Sequence, residues 1–258
     1  MRYGERWLPA LYEGHAIVLL AAILMSVGKA FAAHQMLTED PQTQVIGRFE
    51  LELGQAFVRG DPLQGGRSAE FAPQFSYGAD LALDLILRVL WLTQAPTDAP
   101  SASGWGDTTL DFKWRFYESA PVAFALRAGA DIPTGAAARG LGTGAAGYHV
   151  IAIAGWQFAR VNLNANVAYA RVHQQGVRAD IGAVSAVIVG PTTPPWQTFI
   201  EATAVSNPDP RVPQWLAVAR TGLIVAATKW VDVDVGYQAR LDRSATRQVW
   251  LIGATFRW

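Results

Sequence analysis

The chain has 258 residues, long for one typical domain but normal for a single β-sandwich or barrel. Hydrophobic residues make up 51% and charged residues only 16%, short of the charge that an ordinary water-soluble surface carries. The formal net charge is zero with no Lys/Arg run, so nucleic-acid binding has little electrostatic support, and the absence of cysteine excludes disulfides and thiolate metal sites.

Taken in chain order, the first element is Ala16–Val27, AIVLLAAILMSV, apolar except for Ser26. It is too short to span a bilayer as a helix, which needs about 20 residues. Arg2 and Arg6 precede it and Ala30-Phe31-Ala32 follows as a small-x-small site. This pattern predicts a secretory signal peptide over residues 1–32. Residues 33–43 then form a periplasmic N-terminal segment, and residues 44–258 the folded domain.

From about Thr43 onward, alternating segments recur between turn signals. Twelve are expected: 44–58, 67–78, 80–93, 105–117, 121–132, 146–158, 160–172, 177–190, 195–206, 213–227, 229–241 and 246–258. Side chains alternate across a strand with period 2, so each segment has two faces. In the first, Phe49, Leu51 and Leu53 oppose Arg48, Glu50 and Glu52; in the third, the leucines oppose Asp84 and Arg88. The fourth sets Leu110, Phe112, Trp114 and Phe116 against Asp107, Asp111, Lys113 and Arg115. In the fifth, Arg127 and Asp131 share the polar face, and in the seventh Asn162, Asn164 and Asn166 do. Arg178 and Asp180 belong to the eighth segment, Glu201 to the ninth and Arg220 to the tenth. The eleventh, KWVDVDVGYQARLD, sets Val231 to Leu241 against Asp232, Asp234, Gln238 and Arg240.

Connection lengths alternate as well. Tyr77–Asp80, Tyr117–Pro121, Phe158–Arg160 and Ala227–Lys229 are very short, whereas Gln94–Gly104 and Pro133–Ala145 are long. An even number of strands with short periplasmic turns and longer external loops is the pattern of a bacterial outer-membrane barrel. The expected fold is therefore all-β: a transmembrane antiparallel up-and-down barrel of 12 strands behind a cleavable signal peptide. Its apolar faces meet lipid, and the polar set named above lines the lumen as transport candidates. Trp91, Trp156, Trp196, Trp215, Trp230 and Trp250 fall near strand ends, as membrane-interface aromatics do, and Trp258 closes the chain.

Other motifs carry little chemistry. Gly142–Gly147 matches GxGxxG, but the strand-like YHVIAIAGW follows it where a dinucleotide site needs a helix, so no cofactor is expected. His34, His149 and His173 lack the spacing of a zinc site. No Ser sits in a nucleophile-like setting with a neighbouring His, which leaves an outer-membrane barrel esterase without support. Opposed charges on nearly every charged strand argue against a strong anion or cation selector.

Several landmarks resemble one known family. AHQMLTEDPQTQ (Ala33–Gln44) is similar to the HPLxTEDTGTQG opening of the MetA-pathway of phenol degradation outer-membrane family, often labelled simply transporter. GWGDTTLDFKWRF (Gly104–Phe116), DIPTG (Asp131–Gly135) and the closing GATFRW (Gly253–Trp258) resemble its GxGDxxLxxKYRF, LPTG and GxTYRF. The resemblance implies a Gram-negative outer-membrane protein that admits small, often aromatic or hydrophobic solutes. The final strand, Trp250 to Trp258, looks like the signal read by the barrel-assembly machinery. Passive passage of a small solute is the leading expectation. The alternatives are a plugged structural or adhesive barrel and, less favoured, the esterase.

Overall fold

The computed structural model describes residues 36–59, 66–97, 100–173, 178–191, 195–207, 210, 215–241 and 248–258. The expected signal peptide and His34 lie outside the described residues, as do the 192–194 and 242–247 connections. The strands are β1 (Phe49–Arg59), β2 (Arg67–Asp80), β3 (Leu83–Arg88), β4 (Trp91–Ala95), β5 (Ala102–Trp105), β6 (Thr108–Ser119) and β7 (Val122–Ile132). They continue as β8 (Gly147–Gln157), β9 (Asn162–Arg171), β10 (Asp180–Gly190), β11 (Trp196–Ser206), β12 (Trp215–Ala226), β13 (Val231–Arg240) and β14 (Gln248–Arg257).

All fourteen join one antiparallel sheet, and β1 pairs with both β2 and β14, so the sheet closes. Closure leaves no strand edge to be satisfied by lipid. Two wall positions are each occupied by an interrupted strand. Strand β2 pairs with β3 and then with β4, while β6 pairs with β3 and β5 pairs with β4. The amides of Val89 and Gly106 bridge the interruptions, to Pro73 O at 3.1 Å and Leu90 O at 2.7 Å. The wall therefore has twelve staves, the number expected from alternation.

The boundaries shift where alternation is ambiguous. Leu81, expected within the third segment, is 72% exposed in the tight turn before β3. Around Gly106 the inward parity slips by one: Gly106 and Thr109 are both buried, so Asp107 leaves the polar face that it shares with Asp111 in sequence. Phe49, Trp258 and the short turns lie at one end, periplasmic by the rule that loops are longer outside.

The faces are inverted relative to a soluble sheet. On β13, Val233 and Val235 are 41% and 46% exposed, while Asp234 and Gln238 are buried. The interior then divides by height. Around its middle and lower part stand Glu50, Glu52, Asp111, Lys113, Arg127, Glu201 and Arg220, all buried. On β8–β12 the outer half is aliphatic, with Ile151, Ala170, Ile181, Val205, Leu216 and Val218 in one buried cluster.

Candidate functional site

The candidate site is the middle of the lumen, and the chain itself occupies it. Residues 36–44 turn back from β1 through the periplasmic mouth and rise inside the barrel. Met36, Leu37, Thr38, Glu39 and Asp40 are all buried, none more than 3% exposed. The stretch assigned by sequence to the periplasm thus lies inside the wall from Met36 onward. Its reason is chemical: LTED offers apolar, hydroxyl and acidic groups to a lumen that carries complements for each.

Glu201 of β11 is the main anchor. Its carboxylate accepts the Leu37 amide at 2.7 and 2.9 Å, the Thr38 amide at 2.6 Å and the Thr38 hydroxyl at 2.6 Å. Arg220 of the neighbouring β12 supplies the opposite charge, and its Nε donates to Gln238 Oε1 at 2.7 Å. Leu37 joins the aliphatic cluster above, while Met36 packs with Val187, Val189, Phe199 and Ile224.

Glu39 is held from the opposite side of the barrel. Arg127 donates to it, and through Nε donates to Asp111 Oδ2 at 2.6 Å. Lys113 stands 3.8 Å from the other Glu39 oxygen. The chain of charges continues outward: His149 Nε2 lies 2.9 Å from Asp111, and its Nδ1 is 3.4 Å from Asp131. With its amide oriented to match, Asn166 accepts from Glu39 N at 2.5 Å and donates to Glu39 O at 3.1 Å. Buried charges are tolerated only when paired and hydrogen-bonded, and here each partner of Glu39 comes from a different stave.

Two glycines make room for the segment. A Cβ on Gly155 would stand 2.7 Å from the Pro41 ring, and one on Gly78 would stand 2.4 Å from Val45 O. Lower down, Gln44 N donates to Asp84 at 2.9 Å and the Gln44 side chain to Glu50 at 3.0 Å. Beneath Glu39 a polar cavity of about 120 Å³ remains, bordered by Glu50, Glu52, Asp84, Lys113 and Arg257. Arg257 bridges Glu50 at 2.8 Å and Asp232 at 2.6 Å.

The structure brings most of the expected lumen residues together. Glu50, Glu52, Asp84, Arg88, Asp111, Lys113, Arg127, Asn164, Asn166, Glu201, Arg220, Asp234 and Gln238 are buried inside the wall. Asp131, Asn162, Asp232 and Arg240 are half-buried at its two ends. Arg115 sits at the periplasmic mouth, where it donates to Gln42 at 2.6 Å.

Four expectations are corrected. Arg48 precedes β1 and is exposed at the periplasmic rim. Asp107 leaves the polar face of Asp111 at the interruption before β6 and, half-buried, organises the loop between β7 and β8, accepting from Gly135 N and Thr143 N. This also gives the GxGxxG loop an anchor on the wall. Arg178 precedes β10 and donates to Asn207 O at 2.8 Å. Asp180 points outward, beside Ile181 which points in, and binds Arg171 at 2.7 Å and Tyr169 at 2.6 Å. Sequence reasoning missed Met36–Asp40, His149 and Arg257 as lumen groups. The only signal for the first was LTED itself, a run with acids but no alternation.

Trp156, Trp196, Trp230 and Trp258 stand at the periplasmic ends of their strands or in the turns, and Trp91, Trp215 and Trp250 in the outer half. All but the half-buried Trp156 are at least 37% exposed on the outward face. Among the described residues, no group of three or more His, Asp or Glu is arranged to hold a metal ion.

The comparisons with known proteins agree with this architecture. The family model described as "Putative MetA-pathway of phenol degradation" matches residues 63–258. Among solved structures, the COG4313 outer membrane channel from Pseudomonas putida F1 is similar at 11% identity and a TM-score of 0.70, over 85% of this chain and 98% of that one. The NanC porin is similar at 9% identity and a TM-score of 0.59, over 80% and 98%. The KdgM porin, in complex with disordered oligogalacturonate, is similar at 6% identity and a TM-score of 0.56, over 80% and 98%. At these identities the likeness is one of fold. A comparison with curated proteins found no match.

Proposed function

We propose, on the premise that the chain belongs to the outer-membrane β-barrel family described as "Putative MetA-pathway of phenol degradation", that it passes small solutes passively and that residues 36–44 are its stopper. The carrying observation is that this segment is fastened to the wall by side chains and takes no part in the sheet. The ladder from β1 to β14 closes without it. Displacing it costs hydrogen bonds and ion pairs but breaks no stave, so a barrel can open and remain a barrel.

The aliphatic outer half of the lumen favours a compact apolar or aromatic solute over a sugar. An apolar surface gives about 25 cal/mol per Å² to an apolar solute and nothing specific to a hydroxylated one. The buried charges below carry both signs and hold the stopper, with carboxylates outnumbering cations among the described residues. Trp258 pairs with Phe49 through both backbone groups, at 2.9 and 3.1 Å, and would present the closing strand to the barrel-assembly machinery.

The second reading is a permanently plugged barrel whose external loops do the work. It is favoured by the tight filling around Glu39, where Arg127, Glu201 and Gln238 are each no more than 2% exposed. Planar-bilayer recording and liposome swelling on the refolded mature barrel separate the two. A channel gives discrete openings that become persistent when residues 36–43 are deleted, and admits phenol-sized solutes. A folded barrel that stays silent in both forms refutes the channel reading.

A further inference from the structure

At the outer end of the wall, Arg59 of β1 and Arg67 of β2 stand directly opposite each other. Both are exposed, and both share the outward face of their strands: Phe57 precedes Arg59 on that face, and Ala69 follows Arg67. Directly opposed residues have Cβ atoms about 5 Å apart, and like charges in that position repel. Among the described residues, the register names the outward neighbours of the pair. Gln248 lies beside Arg59 and Ala95 beside Arg67. The row beneath holds Trp250, Phe57, Ala69 and Thr93. None of these carries a charge, so no described neighbour on this face offsets the two guanidiniums.

The far side of the same rim is built differently. Arg171, six staves away on β9, also lies at the outer end, and there Asp180 meets it at 2.7 Å. Among the described residues, an outward rim arginine thus meets a carboxylate in one place and two stand together in another.

The depth of the pair identifies what would neutralise it. Phe57 and Trp250, one outward row below, are 44% and 52% exposed, and Ile252 below them is 53% exposed. Tryptophan marks the level of the headgroups, with the acyl chains beneath. Two residues along a tilted strand rise by about 5 Å, which lifts Arg59 and Arg67 to the level of headgroup phosphates. Guanidinium forks bind phosphate oxygens in pairs, and two forks side by side can share one phosphate.

We infer that Arg59 and Arg67 form a clamp for the phosphate of an outer-leaflet phosphorylated glycolipid, whose acyl chains lie on Phe57, Trp250 and Ile252. The clamp faces lipid and is independent of whether the lumen conducts.

The test uses the mature barrel in detergent, with lipid retention read by native mass spectrometry. The probes are lipid A bearing its phosphates and the same lipid A with them removed. The wild type is expected to retain the phosphorylated lipid at least about tenfold better, since each basic group near an anionic lipid surface contributes about 1 kcal/mol. R59Q/R67Q is expected to bind the two lipids alike, and R171Q, whose arginine is already paired, to behave as the wild type. Inorganic phosphate at the lipid's concentration should displace nothing, because it lacks the acyl contact. Equal retention of both lipids by the wild type overturns the inference without recourse to any variant. So do undiminished retention by a folded R59Q/R67Q, an equal loss in R171Q, or displacement by inorganic phosphate. Heat-modifiable electrophoretic migration verifies that each variant is folded.

Discussion

Glu201→Gln is the sharpest perturbation of the stopper, because it changes one atom in an otherwise isosteric side chain. In the wild type, two carboxylate oxygens serve three donors: the Leu37 and Thr38 amides and the Thr38 hydroxyl, all within 2.9 Å. The amide of glutamine keeps one oxygen and turns an NH₂ toward the remaining donors. At least one charged hydrogen bond is lost, worth about 1.5–3 kcal/mol, and the others weaken as the charge goes, for a total of about 2–4 kcal/mol. Arg220 also loses its counter-charge, but it does so whether the segment is seated or displaced, so that cost falls on the barrel and largely cancels from gating. A factor of ten for each 1.4 kcal/mol converts the loss into a displaced population raised about thirtyfold to several-hundredfold. Thr38→Val removes only the hydroxyl donor and should raise it about fivefold, for about 1 kcal/mol. Open probability in single-channel recordings reads both. If E201Q opens no more often than the wild type while deletion of residues 36–43 conducts, Glu201 does not hold the stopper and the argument fails.

Arg127→Gln strands Glu39 and Asp111 without their shared cation, and breaking a buried pair costs about 3–5 kcal/mol; a urea midpoint in phospholipid vesicles equal to that of the wild type would contradict it. Gly129→Ala places a Cβ 1.7 Å from Asp111 Oδ1 and 2.5 Å from Leu110 O. Overpacking of this kind costs about 1–3 kcal/mol, and the same urea titration should show it, whereas an unshifted curve would mean that the Asp111 side chain has other room. The chain has no cysteine, so single replacements report orientation cleanly. Val235→Cys should be quenched by a lipid-phase probe and Asp234→Cys should not; the reverse result would turn β13 inside out.

Strands whose two faces differ strongly were legible from alternation alone. On β6, Leu110, Phe112 and Trp114 oppose Asp111 and Lys113, and the structure exposes the first set and buries the second. Where both faces are small, the parity has nothing to mark it. Strand β10 reads DIGAVSAVIVG, and with Gly182 and Ala183 adjacent the orientation of Asp180 cannot be read from its neighbours. Asp107 failed for another reason: a one-residue slip at Gly106 moves a side chain to the other face, and alternation counted across it keeps the wrong parity. The stopper was the least legible part. Its contacts join residues 163 or 164 positions apart, Thr38 and Leu37 to Glu201, and pairing at that distance leaves no trace in a local window. Sequence could say that the inward charges come in both signs. It could not say that part of the interior would be filled by a segment lying before the first strand.

That segment is joined to the wall through Phe49, so after displacement it stays on a leash. The thirteen residues from Met36 to Arg48 reach about 40 Å when extended, enough to swing clear of the mouth and no further. A ligand tethered by so short a flexible link experiences an effective concentration in the millimolar range. At that concentration an intrinsic affinity of only about 1 mM, or about 4 kcal/mol, keeps half of the barrels shut. Reclosure is therefore first order and independent of how many barrels the membrane holds. Any periplasmic protein that grasped the displaced segment would have to outcompete a ligand that can never diffuse away.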